Sequence, residues 1–340
     1  MIEKMLSQVI QKNGRQISFV LGQKALIKIG PDWVPLQNES FQLNEWEDLK
    51  DICLHPNEKI LLETKGFVSG LFLSSDHTWK ISFIERKDCF RAFLALADVN
   101  TKLQCQIQNP LFWDLLKKDK GLFIFAGPRR CGKSTLISEI LEKKKNEKIN
   151  LIGIHSFENE FQWPENDTII QLGSDTLDWD LNHLIYDGLE NVVLDLNSIK
   201  KWEKWIELGE QGRTLFVSQT AENISVVLQQ IFENLTPGLI NRFLNLLNGI
   251  VVQKLVGDSM TPIYELLLLR PGDKAKISDV VQTFKINGSL NLKVLAESNY
   301  QTFNQSIIQN LVRRQIDVKA AFSASDNPEE LDETLKRMGL

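Results

Sequence analysis

A chain of 340 residues exceeds what one hydrophobic core usually organises, about 100 to 200 residues, so two domains are expected. With 43% apolar residues, 24% charged residues and a net charge of -5, the composition is that of a folded globular protein, without the basic excess that nucleic acid would ask for. The four cysteines, Cys53, Cys89, Cys105 and Cys131, form no CxxC pair, which argues against a zinc site or a disulfide framework and suits a reducing cytosol.

The opening stretch "MIEKMLSQVIQKNG" lacks the unbroken apolar core of about 7 to 15 residues that a secretion signal needs. Its Ile2, Leu6, Val9 and Ile10 mark one face of an amphipathic helix. Short apolar runs follow at 17–22, 24–30, 67–74 and 79–85, several of them separated by Gly, Pro or Asn, and read as strands. Residues 1–108 are therefore expected to form a small α/β domain. Around "CQIQNP" the periodicity lapses at Pro110, and a second domain is expected over 109–340.

That second domain begins with a helical stretch from Leu111, then the buried strand "GLFIFAG", a loop, and the helix "KSTLISEILEKKK". Strands are expected at 149–154, 168–172, 191–196 and 214–218, with helices between most of them. Alternation of that kind gives a mostly parallel sheet covered on both faces. The C-terminal third reads as mostly helical, apart from a buried strand at "IYELLLLR". Its last helix is bounded by Asp326 or Asn327, Pro328 and Gly339. No run of about 18 apolar residues occurs, so no membrane-spanning segment is expected.

The loop "GPRRCGKST" carries the chemistry. Gly127, Gly132, Lys133 and Ser134 meet the G-x-x-x-x-G-K-[ST] spacing between a strand and a helix. Glycines let successive backbone N–H groups turn inward, Lys133 reaches the β and γ phosphates, and the Ser134 hydroxyl is placed for Mg²⁺. The nucleotide-binding set is thus Gly127, Pro128, Arg129, Arg130, Cys131, Gly132, Lys133, Ser134 and Thr135, with ATP and Mg²⁺ as cofactors. Arg129 and Arg130 are unusual here, and both charge neutralisation and simple exposure to solvent fit them. Cys131 reads as a small filler.

"GLFIFAGPRRCGKSTLI", together with "MLSQVIQKNGRQISFVLGQKALIKIG", "HTWKISFIERKDCFRAF" and the tail from Phe303, resembles the type II/IV secretion ATPases, and among them the PilT-like pilus retraction ATPases. The resemblance implies a PAS-like first domain, a RecA-like P-loop second domain, and a hexameric ring with ATP at the subunit interfaces. It further implies a cytoplasmic protein, peripheral at the inner membrane, acting on the pilus platform protein in twitching motility.

Several motifs of that family are degenerate. Where an acidic box is expected the chain reads "IHSFENEFQW", leaving Glu160 as the candidate catalytic base with Glu158 behind it. "NVVLDLN" supplies Asp195 as a metal ligand, but a following Glu is missing; the register leaves either Asp195 or Asn197 in its place. Where a histidine is expected the chain has Gln219 or Thr220; Gln219 is the sensor candidate, and the four histidines, His55, His77, His155 and His183, lie elsewhere. In place of the arginines that reach a neighbouring subunit stand Trp79 and Lys80, with Arg86 and Arg91 expected in a nearby helix or turn. Trp202 and Trp205 read as core or subunit packing. Together these losses imply an ATP-binding protein with weak or no hydrolysis and an accessory or regulatory role, in a homo-hexamer or a mixed ring with a paralogous pilus ATPase. The alternative is an active hexameric motor driving pilus retraction.

Overall fold

The computed structural model describes residues 2–29, 32–74, 77–87, 89–97, 107–118, 120–129, 131–147, 152–155, 169–172, 190–195, 202–257, 260–274, 277, 279–280 and 300–339. These fall into two compact units, one within residues 2–97 and the other from residue 107 on.

In the first unit α1 (Ile2–Gln11) buries Ile2, Met5, Leu6 and Val9, the stripe that its i, i+3/i+4 spacing dictates. Six strands follow: β1 (Gln16–Val20), β2 (Lys24–Ile29), β3 (Asp32–Ser40), β4 (Phe67–Ser74), β5 (His77–Arg86) and β6 (Cys89–Ala97). They form one antiparallel sheet in the order β3-β2-β1-β6-β5-β4. Pro35 is tolerated in β3 because β3 is an edge strand with one side free of ladder bonds. Between β3 and β4 run α2 (Leu43–Cys53) and α3 (Pro56–Lys65). Each starts with a Glu reaching back to the cap: Glu45 accepts the Gln42 N–H at 2.6 Å, and Glu58 accepts the His55 N–H at 2.8 Å. Gly66 ends α3 at φ 70°. Trp79, Ile81 and Phe83 alternate inward from β5, with Trp46 of α2 tilted against Phe83 at 5.5 Å.

The arginines of this unit differ from expectation. Arg86 is the last residue of β5 and Arg91 lies within β6, so neither sits in a helix or turn. Cross-strand pairing joins the two runs into a hairpin whose apolar alternation outweighs the charged stretch between them.

The second unit is built on an eight-stranded sheet: β7 (Gly121–Gly127), β8 (Ile152–His155), β9 (Ile169–Leu172), β10 (Asn191–Asp195), β11 (Thr214–Thr220), β12 (Leu247–Val256), β13 (Thr261–Leu268) and β14 (Tyr300–Gln301). The order is β14-β13-β12-β7-β11-β10-β8-β9, parallel from β12 to β9 and antiparallel at β13 and β14. β13 is the buried strand expected at "IYELLLLR", while β12 interrupts a C-terminal third that sequence otherwise reads as mostly helical. Ile250, Val251 and Val252 stand in an unbroken row because β12 is buried on both faces there, and such a row carries no helix-or-strand period of its own.

One face of this sheet packs on α4 (Pro110–Leu116) and α5 (Lys133–Glu147) through Phe112, Leu115, Leu136 and Ile140 against Phe123, Phe125 and Phe216. The other is covered by α6 (Trp202–Glu210), α7 (Ile224–Asn234) and α8 (Pro237–Leu246), with α9 (Phe303–Val312), α10 (Val318–Ala324) and α11 (Pro328–Met338) joining the same core. Trp202 and Trp205 are buried there, Trp202 edge-on to Phe243 at 5.6 Å, as core packing requires. α11 is capped as its sequence signals: Asn327 accepts the Glu330 N–H, and Gly339 closes the helix at φ 73°.

Candidate nucleotide site

The site grows from the central strand of the second unit. β7 is buried along its whole length, paired in parallel with β11 on one side and β12 on the other, so its C-terminal end is a fixed point from which the loop departs. Gly127 sits at that end with φ 150°, and Gly132 at φ 87° leads into α5, conformations that a side chain opposes. Space opposes it as well. A Cβ on Gly127 would lie 2.3 Å from the Gln253 backbone oxygen and 2.5 Å from the Cys131 sulfur; one on Gly132 would lie 2.8 Å from Gln253 Nε2.

Lys133 opens α5 and turns its side chain back over the loop, where Nζ donates to the carbonyl oxygens of Gly127 at 2.9 Å and Pro128 at 2.8 Å. It lies 3.9 Å from the Cys131 sulfur. The first turn of a helix leaves its leading N–H groups without intrahelical acceptors and carries the positive end of the helix dipole, so the start of α5 offers those amides to an anion beside the Lys133 ammonium. Ser134 and Thr135 are half-buried in that first turn, and Arg129 is exposed. α5 is anchored at its far end by Lys144, buried, which donates to Asn191 of β10 at 3.1 Å. Burial pushes the Cys131 thiol up, against the opposing pull of the Lys133 ammonium, and the sulfur packs beneath Gly127 as a filler.

Sheet register places the other candidates. Gln219 and Thr220 of β11 pair with Ala126 and Gly127, beside the root of the loop. Strand alternation puts Thr220 on the α5 face with Phe216, and Gln219 on the opposite face with Val217. There Gln219 Nε2 donates to Gln230 of α7, and its Oε1 is buried with no partner among the described residues. Asp195 ends β10 opposite Ser218 of β11, and its position shares strand parity with Val193, which packs on the α5 side; its side chain lies outside the described ones. Arg130, Glu158, Glu160, Asn197 and His183 lie outside the described residues, as does the side chain of His155. In the first unit Trp79 is fully buried, while Lys80 and Arg91 stand on the other face of β5 and β6.

One residue at the loop has no sequence signal at all. Gln253 of β12 is buried and donates from Nε2 to the Cys131 carbonyl oxygen at 2.6 Å. Nothing local marks it, because the contact spans 122 residues of sequence.

No family model and no curated protein matches the sequence. Solved structures do match in fold. The pilus retraction motor PilT, solved with bound ADP, superposes with a TM-score of 0.78 at 16% identity over 98% of this chain and 99% of that one. The fold is that of PilT. The ATPase DotB of Legionella pneumophila superposes with a TM-score of 0.75 at 12% identity, covering 94% of this chain and 93% of its own. The DotB of Yersinia pseudotuberculosis gives 0.71 at 14%, covering 95% and 92%. The PilT fold thus extends over nearly the whole of this chain, at identities that speak for architecture alone. Among the described residues no helix is long and apolar enough to cross a membrane.

Proposed function

We propose that this protein is a PilT-like ATP-binding member of the type II/IV secretion ATPases, with a RecA-like second unit behind a PAS-like first one. It binds ATP with Mg²⁺ and hydrolyses it slowly or not at all. Its role in type IV pilus machinery is accessory or regulatory, within a homo-hexamer or a mixed ring beside an active paralogue, on the cytoplasmic side of the inner-membrane platform.

The observation that carries binding is the loop itself: two glycines at positive φ in places too tight for a Cβ, with Lys133 and the start of α5 closing around the same backbone. A phosphate would replace the Gly127 and Pro128 carbonyls as the partner of Lys133, a stronger, charge-assisted contact. Ser134 and Asp195 would hold the metal, which neutralises charge on the phosphates. Slow chemistry is supported by the sequence around the loop, where Gln219 or Thr220 replaces a histidine and no Glu follows Asp195. The bond from Gln219 to Gln230, on the face away from α5, also withholds that amide from a phosphate. If the base, the sensor and the arginines supplied in trans each contribute about 10² in rate, their joint loss leaves turnover far below motor speed. The active-motor reading is favoured by the end-to-end fold likeness to a pilus retraction motor.

Steady-state phosphate release and equilibrium binding of a fluorescent ADP analogue test both readings. Wild-type protein should bind the analogue, Lys133→Ala should not, and phosphate release should run at least about 10² below a working motor. Motor-speed hydrolysis that Lys133→Ala abolishes would replace the accessory reading with the motor. Absence of nucleotide binding in the wild type would refute both.

A further inference from the structure

β12 runs beside β7, and Gln253 is the polar residue that follows Ile250, Val251 and Val252 along it, 3% exposed. It meets the phosphate loop three times. Its Nε2 donates to the Cys131 carbonyl at 2.6 Å, its backbone oxygen fills the space next to Gly127, and its amide nitrogen fills the space next to Gly132. The orientation of the amide is fixed by chemistry: turned over, Oε1 would face the Cys131 oxygen, acceptor against acceptor. In the orientation observed, Oε1 is buried with no partner among the described residues. A half-satisfied buried amide is a cost that an aliphatic residue would avoid, and Val251 and Leu255, which share its face of β12, are aliphatic, so packing does not ask for glutamine.

What the bond accomplishes follows from peptide geometry. The C=O and N–H of a trans peptide point in opposite directions, and the described chain has no cis bond. Holding the Cys131 oxygen toward β12 therefore turns the Gly132 N–H away from it. We propose that Gln253 is a positioning residue of the nucleotide loop, its side-chain amide locking the Cys131–Gly132 peptide so that the Gly132 N–H faces the phosphates. Gln253 itself touches no nucleotide. This role deepens the nucleotide-binding reading above and rests on it.

The test uses the full chain carrying Gln253→Leu or Gln253→Glu, with two measurements: binding of a fluorescent ADP analogue with Mg²⁺, and amide hydrogen exchange across residues 128–135 without nucleotide. The Leu variant should lose at least about tenfold in affinity and exchange faster at 131–134, while its unfolding midpoint without nucleotide falls by only a few degrees, the orphaned Cys131 carbonyl being offset in part by removal of the unpaired Gln253 oxygen. The Glu variant supplies a readout that packing alone would not move. Ionised, its carboxylate repels the Cys131 carbonyl; protonated, its O–H donates to it. Its affinity relative to wild type at the same pH should therefore recover by about tenfold between pH 8 and pH 6, burial raising the carboxyl into that range. Binding within twofold of wild type in both variants overturns the proposal, and so does a flat pH ratio in the Glu variant should the Leu variant fail to fold. Wild-type protein that takes up no nucleotide refutes the proposed function instead, and unchanged exchange in the variants then overturns the locking of the peptide separately.

Discussion

One methyl group at Gly127 should be enough to cripple the second unit. Gly127→Ala places a Cβ 2.3 Å from the Gln253 backbone oxygen and 2.5 Å from the Cys131 sulfur, at a φ of 150°. The oxygen cannot retreat cheaply, because β12 is held to β7 on one side and to β13 on the other. Holding a non-glycine residue at such a φ costs about 1–3 kcal/mol. Overpacking a closed core adds about 1–3 kcal/mol more. The sum, about 2–6 kcal/mol, is a large share of the 5–15 kcal/mol that stabilises a typical domain. At about 2–4 °C per kcal/mol for a unit of this size, the unfolding midpoint should fall by roughly 5–20 °C. Gly212→Ala is the control. Gly212 also has positive φ, 96°, but nothing lies within 4 Å of its added Cβ, so it should show the conformational cost alone, about 1–2 kcal/mol. Thermal unfolding of both variants by circular dichroism, without nucleotide, reads the difference. Equal losses in the two would refute the claim that the loop is closed against β12 by contact.

Other consequences can be measured on the same protein. Glu265 of β13 is buried, accepting the Ile224 N–H at 2.7 Å and the Tyr300 hydroxyl at 2.6 Å, yet burial outweighs these bonds and raises its carboxyl above the ordinary range. A raised folded pKa means that the folded state holds the proton more tightly, so this contribution is complete below the unfolded value and is lost as pH rises through the folded one. Wild-type protein should therefore lose stability relative to Glu265→Gln as pH rises above about 4, the ordinary carboxyl range; a urea-midpoint difference that stays constant as pH is raised would count against it. Alkylation of the native protein at pH 8, mapped by mass spectrometry, should label exposed Cys89 well before Cys53 and Cys131, since burial pushes the Cys53 thiol up to about 12 and raises that of Cys131. Trp202→Ala should cost about 3–5 kcal/mol in urea unfolding through the cavity left against Phe243, and a cost under 1 kcal/mol would show that the helix recloses. Asn327→Ala, which removes the cap of α11, should cost about 1 kcal/mol by the same assay.

How much of this was legible beforehand depended on distance along the chain. The bounds of α11 follow from Asn327, Pro328 and Gly339, each acting on a helix end within a turn of itself. The buried stripe of α1 follows from its spacing. The phosphate loop is legible for the same reason, with strand, glycines, lysine and helix all falling within 27 residues of one another, from Gly121 to Glu147. β3 and α2 are not among the expected elements, since Pro35 and the charged face of α2 mask their periodicity. The strand positions of Arg86 and Arg91 are hidden in the sequence because a charged turn looks like a loop until the strands on either side of it pair.

Local chemistry in the polypeptide determined that a loop able to grip phosphates stands between a buried strand and a helix, since each of its parts depends on neighbours a few residues away. Tertiary structure alone decided that β12 flanks that loop, that Gln253 reaches Cys131 across 122 residues, and that Gln219 faces α7 while Thr220 faces α5. The reason is that sheet order and the face a residue takes are fixed by which strands meet, and a strand's own sequence does not name its neighbour.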